Sequence, residues 1–171
     1  MLRAILIGAP GSGKSSVGKA LSRELSTSFH DTDCLIVERD GRSIPEIFAA
    51  VGEEGFRAIE REIVLEALNS NVGVLSLGGG AVLDEAVQSA ISKSRAHIIF
   101  LRVGLSLVLT RIGARGDRPL LSDDPKRQWI NLYEQREAIY RKLATIEIGT
   151  DSKKPHEVAH ELKAEMGLAH G

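Results

Sequence analysis

The sequence of 171 residues has only one cysteine, Cys34. A single thiol cannot form an intramolecular disulfide, so the chain does not fit the disulfide-stapled secreted class, and a reducing compartment is indicated. A free cysteine is most often a small apolar packing residue. We therefore expect Cys34 to be buried rather than to act as a reactive thiol.

The sequence also lacks an excess of charge of one sign and any long apolar run. Its 22 basic and 23 acidic residues give a net charge of −1. This argues against a nucleic-acid partner, because counterion release needs a concentrated basic surface. No apolar run reaches transmembrane length, and no charged-then-apolar leader precedes the first apolar run. We therefore expect a cytoplasmic protein without a membrane partner.

What the sequence does contain is globular in character, with 43% apolar and 26% charged residues and no low-complexity tract. This length and composition predict one domain with a substantial core. Apolar periodicity predicts strands near residues 4–7, 28–30, 72–77, 96–101 and 145–148. Helical periodicity alternates with them, at residues 15–25, 34–37, 43–52, 53–67, 84–91, 105–112, 125–143 and 155–166, with a loop at 113–124. Alternating strands and helices predict parallel crossovers and a three-layer α/β/α sandwich.

The first apolar run leads into Gly-Ala-Pro-Gly-Ser-Gly-Lys-Ser, residues 8–15, here called the phosphate loop. This is the pattern G-x-x-x-x-G-K-S. Glycines allow backbone N–H groups to approach phosphate oxygens, and the helix that follows adds its own N-terminal N–H groups. Lys14 supplies a cation for the β- and γ-phosphates, and the Ser15 hydroxyl is a ligand for Mg²⁺. Because a strand pattern precedes the loop and a helix pattern follows it, nucleoside triphosphate binding is favoured over a glycine-rich turn that binds nothing.

Two aspartates, Asp31 and Asp33, follow the second predicted strand. If the extended backbone continues, their side chains share a face and Thr32 points the other way. Two carboxylates this close repel each other unless cations compensate, for example Mg²⁺ on Asp31 and an arginine or substrate hydroxyl at Asp33. The alternative is a pair of helix-capping aspartates. Ligands of such sheets bind beyond the carboxyl ends of the strands, which favours the functional interpretation.

Arg57 lies one helical turn before Glu60, which is close enough to hold its guanidinium. The planar fork of an arginine suits a substrate carboxylate, although spacing alone does not distinguish this from a surface pair. Gly78, Gly79 and Gly80, here called the glycine turn, follow the third predicted strand, where a backbone that approaches a ligand closely explains them best. Leu77 precedes them. No aspartate stands at that strand end, so Asp31 would have to serve as the magnesium carboxylate.

Three arginines, Arg111, Arg115 and Arg118, stand in or beside the irregular loop. Arginines on a mobile loop suit phosphoryl transfer, in which charge builds on the transferred oxygens. For Arg115 we prefer a solvated basic loop. The two tyrosines, Tyr133 and Tyr140, are most simply packing residues.

Together these motifs resemble the shikimate kinases, within the nucleoside-monophosphate-kinase-like group of P-loop enzymes. The resemblance covers nearly the whole chain in order and is carried by residues 8–15, 31–33, 52–57, 78–80, 118–121, 135–136 and 140–141. It implies ATP-dependent phosphorylation of shikimate to shikimate 3-phosphate by a monomer. It also implies a P-loop kinase fold with a five-stranded parallel sheet of order 2-3-1-4-5, a mobile lid at about residues 112–124 and a substrate-binding helical region at about 33–60.

The resemblance further implies roles for individual residues. Shikimate would be held by Asp33 on its hydroxyls, by Arg57 and Arg136 on its carboxylate, and by the glycine turn. Arg118 in the lid would reach the ATP phosphates and act in catalysis with Lys14 and Asp33. Magnesium would be bound by Ser15 and Asp31. The nucleotide would contact Gly11, Ser12, Gly13, Lys14, Ser15 and Ser16, with Arg111, Lys153 and Pro155 flanking the adenine.

Other functions remain open on the sequence alone. A gluconate-type sugar-acid kinase shares the phosphate loop and an anionic polyol substrate. A GTPase would need the guanine-reading N-K-x-D element, which the sequence lacks. A non-catalytic nucleotide-sensing module would have no need of the arginines or of the glycine turn.

Overall fold

Five parallel strands form one sheet at the centre of the protein. The structure is a computed structural model and describes residues 1–70, 72–104 and 125–167. Strands β1 to β5 lie in the order β2-β3-β1-β4-β5, and every neighbouring pair is parallel. Their bounds are Leu2–Ile7, Phe29–Asp31, Gly73–Ser76, His97–Arg102 and Ile146–Gly149. The predicted sheet order is thereby confirmed.

Helices connect the strands and cover both faces of the sheet. In chain order, α1 to α6 are Lys14–Glu24, Thr32–Asp40, Ile44–Ser70, Glu85–Lys93, Pro125–Leu143 and Pro155–Glu165. The stop predicted at Gly52 is present as a break within α3, where φ is 72° and ψ is −179°. One short element escaped prediction, a 3₁₀ turn at Ala81–Leu83 that directly follows the glycine turn.

Among the described residues, the apolar core that packs on the sheet has two halves, one on each face, and a further cluster packs α2 against α3. Ile5 and Ile7 of β1 face the half formed with α3, α4 and α5, whereas Ala4 and Leu6 face the half formed with α1 and α6. Because consecutive side chains of a strand point to opposite faces, a strand buried on both sides must be apolar throughout. This explains the unbroken apolar runs and confirms the three-layer sandwich.

The order of the strands positions the functional residues at one edge of the sheet. β3 lies between β1 and β2, with Ser76 in register with Leu6 on one side and with Asp31 on the other. The loops that leave the carboxyl ends of β1, β2 and β3 are the phosphate loop, the Asp31–Asp33 segment and the glycine turn. They are therefore neighbours in space.

Three predictions about the chain need comment here. Cys34 is exposed, so the expectation of a buried residue is wrong: α2 is short and buries only Thr32 and Ile36, which leaves Cys34 on its open side. Some predictions fall outside the described residues. These are the helix at 105–112, the loop at 113–124, the lid at about 112–124, and the roles of Arg111, Arg115 and Arg118. Among the residues that are described, no helix is long and apolar enough to cross a membrane.

Candidate active site

The phosphate loop wraps around the amine of Lys14. Its Nζ donates to the carbonyl oxygens of Gly8 at 2.8 Å and Ala9 at 2.9 Å, and lies 3.5 Å from Ser12 Oγ. Gly13 precedes α1 with φ at 89°, a left-handed conformation that favours glycine. No side chain caps α1 at this residue, and its first turn carries no acidic residue. The loop therefore presents a cation and a helix N-terminus together, which suits an anionic phosphate.

Asp31 connects the phosphate loop to the start of α2. Its Oδ2 accepts a hydrogen bond of 2.5 Å from Ser15 Oγ, and its Oδ1 accepts one of 2.8 Å from the backbone N–H of Asp33. Asp31 is thus the N-cap of α2, as the capping alternative predicted, and its other carboxylate oxygen lies beside Ser15, whereas its role in binding magnesium stays a prediction. The condition of a continuing extended backbone is not met, because α2 begins at Thr32.

Thr32 does not line the cleft, but it holds the glycine turn in place. It is fully buried, and its Oγ1 accepts a hydrogen bond of 3.0 Å from the backbone N–H of Gly78. This hydrogen bond therefore connects the glycine turn to the first turn of α2. Sequence analysis assigned no role to this residue.

The glycine turn leaves room for charged side chains from two helices. A Cβ on Gly78 would lie 2.8 Å from Asp33 Oδ1 and 3.2 Å from Glu60 Oε2. A Cβ on Gly80 would collide with the guanidinium of Arg57, whose Cζ is 2.7 Å from that position. The turn is therefore in close contact with charged side chains of α2 and α3, and the predicted close approach to a ligand stays a prediction.

Glu60 and Arg57 form an ion pair, with Oε1 and NH1 2.7 Å apart. Glu60 is only 3% exposed. Burial raises the pKa of its carboxyl, and the facing Arg57 opposes that rise. Because the pair is largely removed from water, it is more than a solvated surface pair and holds the Arg57 fork in a fixed direction.

Arg136 on α5 is also only 3% exposed, and its Nε has no hydrogen-bond partner among the described residues. Burial lowers the pKa of its guanidinium, and the positive charge of Arg57 lowers it further. A buried arginine with an unpaired donor is costly in a protein interior. An anionic ligand would remove that cost.

Tyr140 lies one helical turn beyond Arg136 and is fully buried. Its hydroxyl donates to the carbonyl oxygen of Gly79 at 2.6 Å, and its ring stacks on Phe100 with centroids 5.2 Å apart. Burial raises the pKa of this phenol to about 12. The expectation of a packing residue is therefore incomplete, because the ring packs in the core while the hydroxyl reaches the glycine turn.

The phosphate loop, the Asp31–Asp33 segment and the glycine turn enclose a cleft at the carboxyl edge of the sheet. The residues that line it come from the phosphate loop and the start of α1, from the Asp31–Asp33 segment, and from the end of β3 with the glycine turn. They are Gly11, Ser12, Gly13, Lys14, Ser15, Ser16, Asp31, Asp33, Ser76, Leu77, Gly78 and Gly79. Most of the predicted site residues are thus brought together. Arg57, Gly80 and Arg136 do not line this cleft, although they adjoin its glycine turn. Lys153 and Pro155 do not line it either; they follow β5, where Lys153 pairs with Glu161 at 2.9 Å.

A phosphate loop that opens onto buried carboxylates and arginines, on a parallel sheet of this order, defines the class of P-loop kinases that act on small molecules. The family model described as shikimate kinase matches residues 10–167. The chain belongs to the shikimate kinase family, and like that family it is a small-molecule kinase with ATP as its phosphate donor. The predicted family and enzyme class are therefore confirmed.

Individual relatives agree with this assignment. The chain is 39% identical to a shikimate kinase of Rhodococcus jostii, over 96% of this chain and 97% of the relative. It is 40% identical to one of Thermobifida fusca, over 97% and 95% of the two chains.

Solved structures agree as well. A shikimate kinase from Acinetobacter baumannii in complex with shikimate superposes with a TM-score of 0.91 at 29% identity, covering 100% of this chain and 97% of that one. A shikimate kinase from Aquifex aeolicus gives 0.81 at 37% identity, covering 99% and 100%. A gluconokinase from Sinorhizobium meliloti gives 0.63 at 18% identity, which shows a shared fold only.

Proposed function

We propose that this chain transfers the γ-phosphoryl group of ATP to the 3-hydroxyl of shikimate, with donor and acceptor side by side in the cleft. The observation that supports this best is the buried guanidinium of Arg136, whose Nε is unpaired in the described part of the chain, close to Arg57. Two arginines at the far end from a phosphate loop suit an acceptor that carries a carboxylate as well as hydroxyls. Shikimate has both.

The donor end would be formed by the phosphate loop and the first turn of α1. Lys14 and the loop N–H groups would neutralise the β- and γ-phosphates. Ser15 Oγ and Asp31 Oδ2 are adjacent oxygens, the type of donor that Mg²⁺ prefers, so these residues fit a magnesium ion. When bound there, the ion would neutralise charge on the phosphate oxygens.

The acceptor end would be formed by Asp33, Arg57, Arg136 and the glycine turn. The forks of Arg57 and Arg136 would bind the shikimate carboxylate, with Glu60 holding Arg57 in place. The turn has no side chains, so the ring of the acceptor could lie against its backbone. Asp33 would then stand between the acceptor hydroxyls and the phosphate loop.

The transfer itself would need little covalent help from the protein. The acceptor hydroxyl oxygen forms a bond to the γ-phosphorus while the bond from that phosphorus to the ADP oxygen breaks. Asp33 would orient the hydroxyl and accept its proton. Lys14 would stabilise the charge that develops on the transferred oxygens, with Arg118 assigned to the same task by the family pattern.

A direct test is ADP release measured with shikimate, gluconate, a nucleoside monophosphate or no acceptor, with and without added Mg²⁺. We expect release only with shikimate, and only when Mg²⁺ is present. Release without an acceptor, or with gluconate alone, would contradict the proposed substrate. Undiminished release in the presence of excess chelator would contradict the magnesium site.

The remaining expectations are proposals of the same kind. A monomer, a cytoplasmic location, a lid at residues 112–124 and adenine contacts from Arg111, Lys153 and Pro155 follow from composition and from the family pattern. Size-exclusion chromatography with light scattering would test the first of them.

A further inference from the structure

The hydroxyl of Tyr140 lies where the glycine turn meets the buried arginine of α5. It donates to the carbonyl oxygen of Gly79 at 2.6 Å. The oxygen of the Tyr140 hydroxyl is also within hydrogen-bonding reach of the guanidinium of Arg136. One buried hydroxyl therefore touches two of the groups assigned above to the acceptor.

We propose that Tyr140 is a positioning residue for acceptor recognition, which fixes the glycine turn and the Arg136 guanidinium in one mutual arrangement. The inference rests on the proposed function, because it concerns the end of the cleft assigned to shikimate. Tyr140 does not itself contact the acceptor in this account. It acts through Gly79 and Arg136.

The glycine turn needs such an anchor because glycine backbone is unusually free to rotate. Three other polar groups of the turn have partners. The N–H of Gly78 donates to Thr32 Oγ1, and the carbonyls of Gly78 and Gly80 accept from Ala81 and Leu83 at 3.0 and 3.1 Å. The Gly79 carbonyl is held by Tyr140. The orientation of the peptide between Gly79 and Gly80 therefore depends on the hydrogen bond from the Tyr140 hydroxyl.

The direction of that peptide matters to a ligand. The peptide is trans, so its carbonyl oxygen and the N–H of Gly80 point in opposite directions. Holding the oxygen toward α5 turns the Gly80 N–H away from α5. No described residue accepts a hydrogen bond from the N–H of Gly79 or Gly80. Rotation of this peptide would change the donors that the turn offers to an acceptor.

The number of protons on the Tyr140 hydroxyl determines how its oxygen can interact with Arg136. A tyrosine hydroxyl has one proton to donate, and here that proton goes to Gly79. The remaining lone pairs of the oxygen can only accept, which matches the N–H groups of Arg136. The raised pKa keeps the hydroxyl protonated across the neutral range, so the arrangement does not depend on pH there.

The Tyr140→Phe variant removes this hydroxyl and keeps the ring, which Phe100 holds by stacking. We expect the KM of shikimate to rise by about five- to thirtyfold, because two buried polar groups lose a partner. Since neither group belongs to the donor end, kcat and the KM of ATP should stay within about twofold of wild type. Tyr133→Phe is the matched control, since it removes a hydroxyl from a half-buried tyrosine of the same helix.

A second measurement separates positioning from a general loss of packing. Binding of shikimate and of its methyl ester should be compared by calorimetry in wild type and in Tyr140→Phe. Because Tyr140 acts through both Arg136 and the glycine turn, the substitution should weaken binding of the acid more than binding of the ester, whose loss reports on the turn. An Arg136→Lys, Tyr140→Phe double variant should then lose less than the sum of the two single losses.

The proposal is overturned if Tyr140→Phe behaves like Tyr133→Phe, or if kcat falls as much as kcat/KM for shikimate. It is also overturned if acid and ester lose affinity equally. Turnover of shikimate by the wild-type chain reports on the proposed function, whereas the ratio between the two Tyr→Phe variants reports on Tyr140 alone. The two failures can therefore be told apart.

Discussion

The proposed donor end and the proposed acceptor end of the site are built in opposite ways. The phosphate loop is one continuous segment, and the Lys14 amine donates to the carbonyl oxygens of Gly8 and Ala9, six and five residues away. The acceptor end is assembled from distant parts of the chain. The hydrogen bond from Tyr140 to Gly79 spans 61 residues, and that from Gly78 to Thr32 spans 46.

The difference extends to the atoms involved. At the phosphate loop, backbone groups and one lysine present positive charge, and glycines are enough to arrange them. At the acceptor end, buried side chains of opposite charge hold one another, as Glu60 holds Arg57. Buried charges are tolerable only when their partners are in place. The acceptor end therefore depends on the packing of α2, α3 and α5, whereas the donor end depends on local backbone conformation.

The largest effect should come from Lys14→Ala, which tests whether the two ends are separable. We expect kcat to fall by on the order of 10³-fold, because a preorganised charge on the transferred phosphate is lost. Equilibrium binding of shikimate in the absence of nucleotide should stay within about threefold of wild type. Circular dichroism checks that the fold is kept. Near wild-type turnover would remove Lys14 from the phosphate site.

Arg57→Lys probes the acceptor end with the charge retained. Lysine cannot reproduce the planar fork, so we expect the KM of shikimate to rise by about 10- to 50-fold while the KM of ATP changes little. Steady-state kinetics with each substrate varied in turn measures both. An equal rise in the two KM values would mean that Arg57 does not bind the acceptor carboxylate.

Two neighbouring glycines allow a sharper comparison of the ends. A Cβ on Gly80 meets the Arg57 guanidinium, whereas a Cβ on Gly79 lies 2.8 Å from Pro10 of the phosphate loop. Gly80→Ala should therefore raise the KM of shikimate alone, by about 5- to 20-fold, as expected for a methyl forced into a packed site. Gly79→Ala should raise the KM of ATP as well. If the two variants have the same profile, the division between donor and acceptor ends is wrong.

The same contrast explains what could be predicted from the sequence. The phosphate loop is visible as a pattern because every residue that it needs is adjacent in the chain. The strand order followed from the family resemblance, and the layers followed from alternating apolar periodicity. Asp33 and Arg57 were found as motifs, but the burial of Glu60 and Arg136 depends on how helices pack, which no local pattern records.

Tyr140 and Thr32 illustrate the limit more clearly. Tyr140 looks like a packing residue in sequence and Thr32 carries no local signal of a role, and both are fully buried. Their hydroxyls act on a glycine turn more than 40 residues away. The family resemblance included residues 140–141 but gave Tyr140 no role, and the i, i+4 spacing of Arg136 and Tyr140 is too common to be specific. Cys34 was misjudged because average burial of cysteine was applied to a helix too short to bury it.

The smallest effect is expected from Thr32→Val, which removes the second anchor of the glycine turn. Valine has the shape of threonine, so the core stays filled, but the Gly78 N–H loses its partner. We expect unfolding to become easier by about 1–2 kcal/mol, the cost of one buried unsatisfied donor. The KM of shikimate should rise by no more than about threefold, because the Gly78 and Gly80 carbonyls and Tyr140 still hold the turn.

Thr32→Ser is the matched control, since it keeps the hydroxyl and loses only a methyl group. Thermal unfolding followed by circular dichroism should place its midpoint above that of Thr32→Val, and its shikimate KM should match wild type. If instead the serine variant is the less stable of the two, Thr32 serves the core through its methyl group and not the turn through its hydroxyl. Tyr140 would then be the principal anchor of the turn, and the acceptor end would depend on α5 far more than on α2.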